Sequence, residues 1–107
     1  MVTISIMRED GRIVVVKAQG HAMMGESGND IVCAAVSAVL QTALIGLTDY
    51  VGLKVGSELQ DGYMYVVLPH EMSKAQSQQA GAILETMLMG LRSIEQGNKQ
   101  AIRVRED

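Results

Sequence analysis

The run IVCAAVSAVLQTALIGLT, Ile31 to Thr48, holds no charged residue in 18 positions and is bracketed by Asp30 and Asp49. Its length approaches that of a bilayer span. Its interior carries Ser37, Gln41, Thr42, Gly46 and Thr48, and its ends are acidic with no Lys or Arg anchor. Both features favour a helix inside a globular fold over a membrane segment. The spacing predicts helix 1 from about Ile31 to Tyr50, apolar nearly all round and so buried on several sides. Asn29 or Asp30 can cap its start, which would put Cys33 in the first turn.

Upstream of helix 1, Val2–Met7 alternates apolar and polar residues, the period of a half-buried strand. Asp10-Gly11 is a two-residue hairpin signal, and the β-branched run Ile13–Val16 opens a second strand reaching about Gln19. Gly20–Asp30, with Gly20, Gly25 and Gly28, reads as a long loop, and long loops tend to carry function. Downstream, Leu53–Leu59 and Tyr63–Leu68 read as strands joined by an Asp61-Gly62 turn. Ser73-Lys74-Ala75-Gln76 fits a capping box at the start of helix 2. Ala80, Ile83, Leu84, Met87, Leu88, Leu91 and Ile94 form one apolar stripe along it, and Gly97 is its stop. Ala101–Arg105 alternates as a last strand. The expected fold is therefore α+β: a small five-stranded sheet with two helices in the order ββα-ββα-β, helix 1 buried. One sheet and one amphipathic helix leave part of helix 1 without cover, which a homodimer would supply.

The chain's 107 residues make one domain, 1–107. Lys and Arg number 9 against 12 Asp and Glu, a net charge of −3, and there is no Phe or Trp. Neither a basic face nor a base-stacking surface is on offer, so no direct nucleic-acid partner is expected. A single cysteine excludes an internal disulfide framework and a multi-Cys zinc site. With only two histidines besides, neither a metal nor a cofactor is expected. No P-loop, dinucleotide-binding or zincin motif occurs. With no N-terminal targeting pattern, a cytoplasmic location is expected and no membrane association.

The chemistry gathers around Cys33. A lone cysteine on an apolar helix is ordinarily a small buried hydrophobe. At a helix start, however, the dipole favours a thiolate, although Asp30 opposes it. His21 lies 12 residues upstream, where the second strand ends. It can take the thiol proton if the loop folds back, or it can be a turn residue. Met23 and Met24 are flexible apolar side chains suited to gripping a partner. Ser37 is one turn past Cys33 on the same helix face. His70, after Pro69, reads as a surface residue.

Gly20-His21-Ala22, a Gly-containing loop, and then Asp30-Ile31-Val32-Cys33-Ala34-Ala35-Val36-Ser37-Ala38 resemble the signature of the bacterial ribosomal-processing cysteine protease (Prp, YsxB-like) family. The element order and chain length fit as well. The resemblance implies a homodimeric endopeptidase that removes a short N-terminal extension from a large-subunit ribosomal protein, cleaving after an apolar or aromatic residue. It implies His21 as general base and Cys33 as nucleophile, with Asp30 and Ser37 in supporting roles. The substrate loop would comprise Gly20, Ala22, Met23, Met24, Gly25 and Gly28. Met23 stands where many relatives carry another glycine. The alternative is a non-catalytic ribosome-assembly or protein-binding factor in which Cys33 is packing. A redox-thiol role is weaker, because no second cysteine can resolve an oxidised form.

Overall fold

The computed structural model describes residues 1–20 and 27–107, with only the backbone of residues 27–30. The strands are β1 (Val2–Glu9), β2 (Arg12–Gln19), β3 (Gly56–Gln60), β4 (Tyr63–Val67) and β5 (Ile102–Glu106). The helices are α1 (Ser27–Ile45), continued by a π-helical turn over Gly46–Tyr50, and α2 (Lys74–Gly97). The sheet order is β3-β4-β2-β1-β5. All neighbours are antiparallel except β5, which runs parallel to β1 after the α2 crossover.

The five strands and two helices follow the expected order. Asp10 and Gly11 both take positive φ, 53° and 80°, as a two-residue hairpin turn of this hand requires. The register between β1 and β2 shifts between Met7 and Arg8, so Val14 is an extra residue on β2. That bulge resets the side-chain alternation and lets both Ile13 and Val16 point into the core. Without it, one of the two would face the other side of the sheet.

The structure differs from the sequence reading at the start of α1, at the start of β3 and in how α1 is buried. Helix α1 begins at Ser27, so Asn29 and Asp30 lie in its first turn and are not caps. Ser, Gly, Asn and Asp are tolerated there because first-turn amides need no partner within the helix. Strand β3 begins at Gly56 and not at Leu53. Residues 51–53 close the helix instead: Gly52 takes φ 79°, and the Val51 and Leu53 amides donate to the Gly46 and Leu47 carbonyls. Leu53 is therefore spent on capping and core packing. Burial of α1 within the chain is one-sided. Val32, Val36, Leu40, Ala43 and Leu47 are buried, while Ile31 and Ile45 are 72% and 58% exposed. The sheet offers one face, and α2 already covers part of it.

Helix α2 starts with the capping box in place: Ser73 Oγ accepts from the Gln76 amide and Gln76 Oε1 accepts from the Ser73 amide. Its stripe of Ala80, Leu84, Met87, Leu88 and Leu91 is buried. On the far side of the core, Arg8 joins β1, α2 and β5. Its guanidinium donates twice to Glu85, at 2.6 and 3.0 Å, and once to Glu106, at 2.6 Å. Arg92 donates to the second Glu106 oxygen at 2.9 Å.

The Arg8 hydrogen bonds hold both the Glu85 and Glu106 carboxyls below their ordinary value of 4.5. A lowered folded-state value contributes stability that is full above the ordinary glutamate range. That stability is lost as pH falls through the lowered values. Urea unfolding between about pH 6 and pH 3 should therefore show a falling midpoint. Glu85→Gln should lower the midpoint at pH 6 and flatten the fall. An unchanged pH profile in that variant would remove the ion pairs from the acid response.

Candidate active site

Strand β2 ends at Gln19, and Gly20 turns away from the sheet at φ +100°. The Gly20 amide donates to the Gly62 carbonyl in the β3–β4 turn at 2.8 Å. A Cβ at Gly20 would overlap the Met1 carbonyl oxygen. Both the dihedral and the crowding demand glycine here. The chain is thus held at the residue immediately before His21. His21, Ala22, Met23, Met24 and Gly25 lie outside the described residues. Gly28 and Asp30 are described as backbone in the first turn of α1.

Cys33 is half-buried against the core and lines a cleft of about 360 Å³. Ser37 and Gln41, one and two turns further along the same face of α1, continue this wall. Gly20 and its strand form the floor, and Leu59 and Tyr63 stand on the other side. Cys33 is the seventh residue of α1. The first-turn position expected for it is therefore not found. Its own amide lies past the orphan donors of the helix start, because the helix begins at Ser27. Gln41 Nε2 donates to Ser37 Oγ at 2.8 Å.

His70 is exposed and lines a separate cleft at the opposite end of the sheet, with Arg12 and Ser77. It is not brought to Cys33. Among the described residues, no three His, Cys, Asp or Glu side chains are grouped to hold a metal ion. Helix Ile31–Tyr50 is long and apolar enough to cross a membrane by length and composition. Here its buried stripe packs into the same core as the sheet. Sequence reasoning missed Gln41, Leu59 and Tyr63. Gln41 carried a signal, since it repeats the four-residue step from Cys33 through Ser37. Leu59 and Tyr63 carried none, because only the sheet order brings β3 and β4 opposite α1.

The family model for cysteine protease Prp matches residues 1–103. The chain belongs to that family. The ribosomal processing cysteine protease Prp of Staphylococcus aureus (strain Mu50) is 34% identical over 108 residues, spanning 97% of both chains. That of Bacillus subtilis (strain 168) is 32% identical over 109 residues, spanning 97% of this chain and 96% of its own. The fold also matches crystal structures of the S. aureus Prp protease over 100% of both chains. One, in complex with a substrate peptide, has a TM-score of 0.87 at 30% identity. Another, with a covalently linked product peptide, has a TM-score of 0.86 at 31% identity. The chain is accordingly a cysteine protease of the ribosomal processing family.

Gly20→Ala is expected to destabilise the fold by roughly 1–3 kcal/mol, the usual range for a strained backbone position. It should also lower proteolysis beyond the loss of folded protein, because the segment entering His21 must shift. Thermal melts with activity normalised to folded protein would check this. A variant with wild-type melting and activity would show that neither the dihedral nor the crowding matters.

Proposed function

We propose that this Prp-family protease removes the N-terminal extension of a large-subunit ribosomal protein, with Cys33 as nucleophile and His21 as general base. The observation that carries the reading is Cys33 itself. It is the one cysteine of the sequence, it is not fully buried, and it opens onto a cleft. The names of the relatives supply the ribosomal processing context.

The chemistry follows ordinary thiol acyl transfer. The Cys33 thiolate attacks the scissile carbonyl carbon, and His21 accepts the thiol proton. The C–N bond then breaks as His21 returns that proton to the departing amine. Water hydrolyses the thioester and regenerates the thiol. The oxyanion needs donors near 3 Å. The first-turn amides of α1 lie one turn above Cys33, and Ser37 lines the same cleft. Asp30, in that first turn, is assigned a supporting role in this reading. The substrate-contacting segment in this reading is Gly20, Ala22, Met23, Met24 and Gly25, with Gly28 contributing from the first turn of α1. Apolar Leu40 and Leu59 in the cleft suit an apolar or aromatic residue before the cut. A ribosomal substrate makes the cytoplasm the place of action.

A synthetic peptide spanning the extension, digested and read by mass spectrometry, tests this. Wild type should cut once. Cys33→Ala and His21→Ala should lose at least 100-fold in rate, on the scale of general acid–base and nucleophile deletions. Ser37→Ala should lose only part. A wild type that binds the peptide uncut would support the non-catalytic binding factor.

The homodimer belongs to the same proposal. Between α1 and α2 lies an open apolar groove of about 710 Å³, lined by Val39, Thr42, Gly46, Ala82, Ile83 and Gly90. It is the uncovered side of an apolar helix, and a second copy of the chain would cover it. Sedimentation at micromolar concentration should give a dimer, and Ala82→Glu should shift it to monomer. A wild-type monomer would overturn the assignment.

A further inference from the structure

The sheet has two edges, and they are treated differently. At β5 the edge is closed. Glu95 Oε2 accepts the Val104 amide at 2.8 Å, occupying a backbone donor. Arg103, Arg105 and Glu106 put charge along this five-residue strand, and Glu106 is tied down by Arg8 and Arg92. Charge and capped amides are the usual means of keeping a strand edge from pairing with another chain.

The β3 edge is guarded far less. Its five residues are all exposed and contain one charge, Glu58. Its register with β4 is unbroken from Gly56↔Val67 to Gln60↔Tyr63, with no bulge and no proline. Among the described residues, no side chain reaches its backbone. Leu59 pairs with buried Met64 and so lies on the helix side of the sheet, yet it is 57% exposed. It lines the cleft that also holds Cys33. An unguarded edge in a small protein is an aggregation hazard unless something uses it.

We propose that the extended peptide substrate binds by adding to β3 as a sixth strand, about 4.8 Å beyond it. The inference deepens the proteolytic reading above and rests on it for the identity of the peptide. Main-chain hydrogen bonds to β3 supply affinity that tolerates sequence variation. Every second side chain of the peptide then falls on the Leu59 side, towards the cleft. The Gly20–Gly62 hydrogen bond joins the β3–β4 turn to the residue before His21, so the strand register also sets which carbonyl meets Cys33. The site's preference is thus for extended, unstructured peptide. A folded helix or a tight turn presents no free main-chain edge.

The test is an N-methyl scan. Synthetic extension peptides each carry one N-methylated backbone amide. Cleavage by the wild-type protein is followed by mass spectrometry, and binding to Cys33→Ala by fluorescence anisotropy. Losing one main-chain hydrogen bond should cost about three- to tenfold in kcat/KM and in affinity. The losses should fall on alternate residues, with the intervening ones near unity. Amide exchange on the complex should show every second β3 amide slowed. A flat profile in a peptide that is cut, or losses without a two-residue period, overturns strand addition and leaves the protease assignment standing. A period-two profile in binding with no cleavage by wild type supports strand addition and overturns the catalytic assignment. A peptide neither bound nor cut overturns both.

Discussion

The end of β2 is held by a single residue with no room for a side chain. Gly20 donates its amide to Gly62, turns at a φ that other residues avoid, and passes against the Met1 carbonyl. Three parts of the chain meet there: the N-terminus, the β3–β4 turn and the segment leading into His21. The cleft beside Cys33 exists because this point is fixed while α1 returns across the sheet from the other side. A larger residue would push these walls apart, so the cleft geometry and the fold share one constraint.

The fold has a strong side and an open side. Arg8 couples β1, β5 and α2 through two glutamates, and Glu95 closes the β5 edge. At the opposite edge, β3 carries one charge and all five of its residues are exposed. Neither β3 nor the outer wall of α1 is enclosed within one chain. Rigid core and charge network lie away from the thiol, and uncovered backbone lies next to it. This suits an enzyme whose substrate is an extended chain, because the missing structure is what the substrate provides.

Much of this was legible in the residues themselves. Asp10-Gly11, the Ser73/Gln76 capping box and the stripe from Ala80 to Ile94 are local signals, complete within a few residues. The motif from Gly20 to Ala38 pointed to the family, and the family match agrees. Other features were not legible because they depend on distant partners. Leu53 reads as a strand residue by type, but the π-turn at Gly46–Tyr50 needs it as a cap. Ser27–Asp30 reads as loop by composition, but the first helical turn accepts such residues. The Val14 bulge has no local signature, since Ile13 to Val16 are all β-branched. Only the demand that Ile13 and Val16 share a core reveals it.

By itself the sequence determined the element order, the hairpin turns, the capping box of α2 and the one available thiol. Each of these is settled by dihedral preference, hydrophobic period or simple presence within a short stretch. The tertiary structure alone decided which strands became edges, and that β3 rather than β5 was left open. It also decided that Leu59 and Tyr63 would face Cys33, Ser37 and Gln41 across a cleft, and that α1 would bury one stripe and expose the other. The reason is that burial and neighbourhood are properties of pairs of elements. A helix's apolar circumference does not say which side meets a sheet, and a strand's alternation does not say what lies beside it.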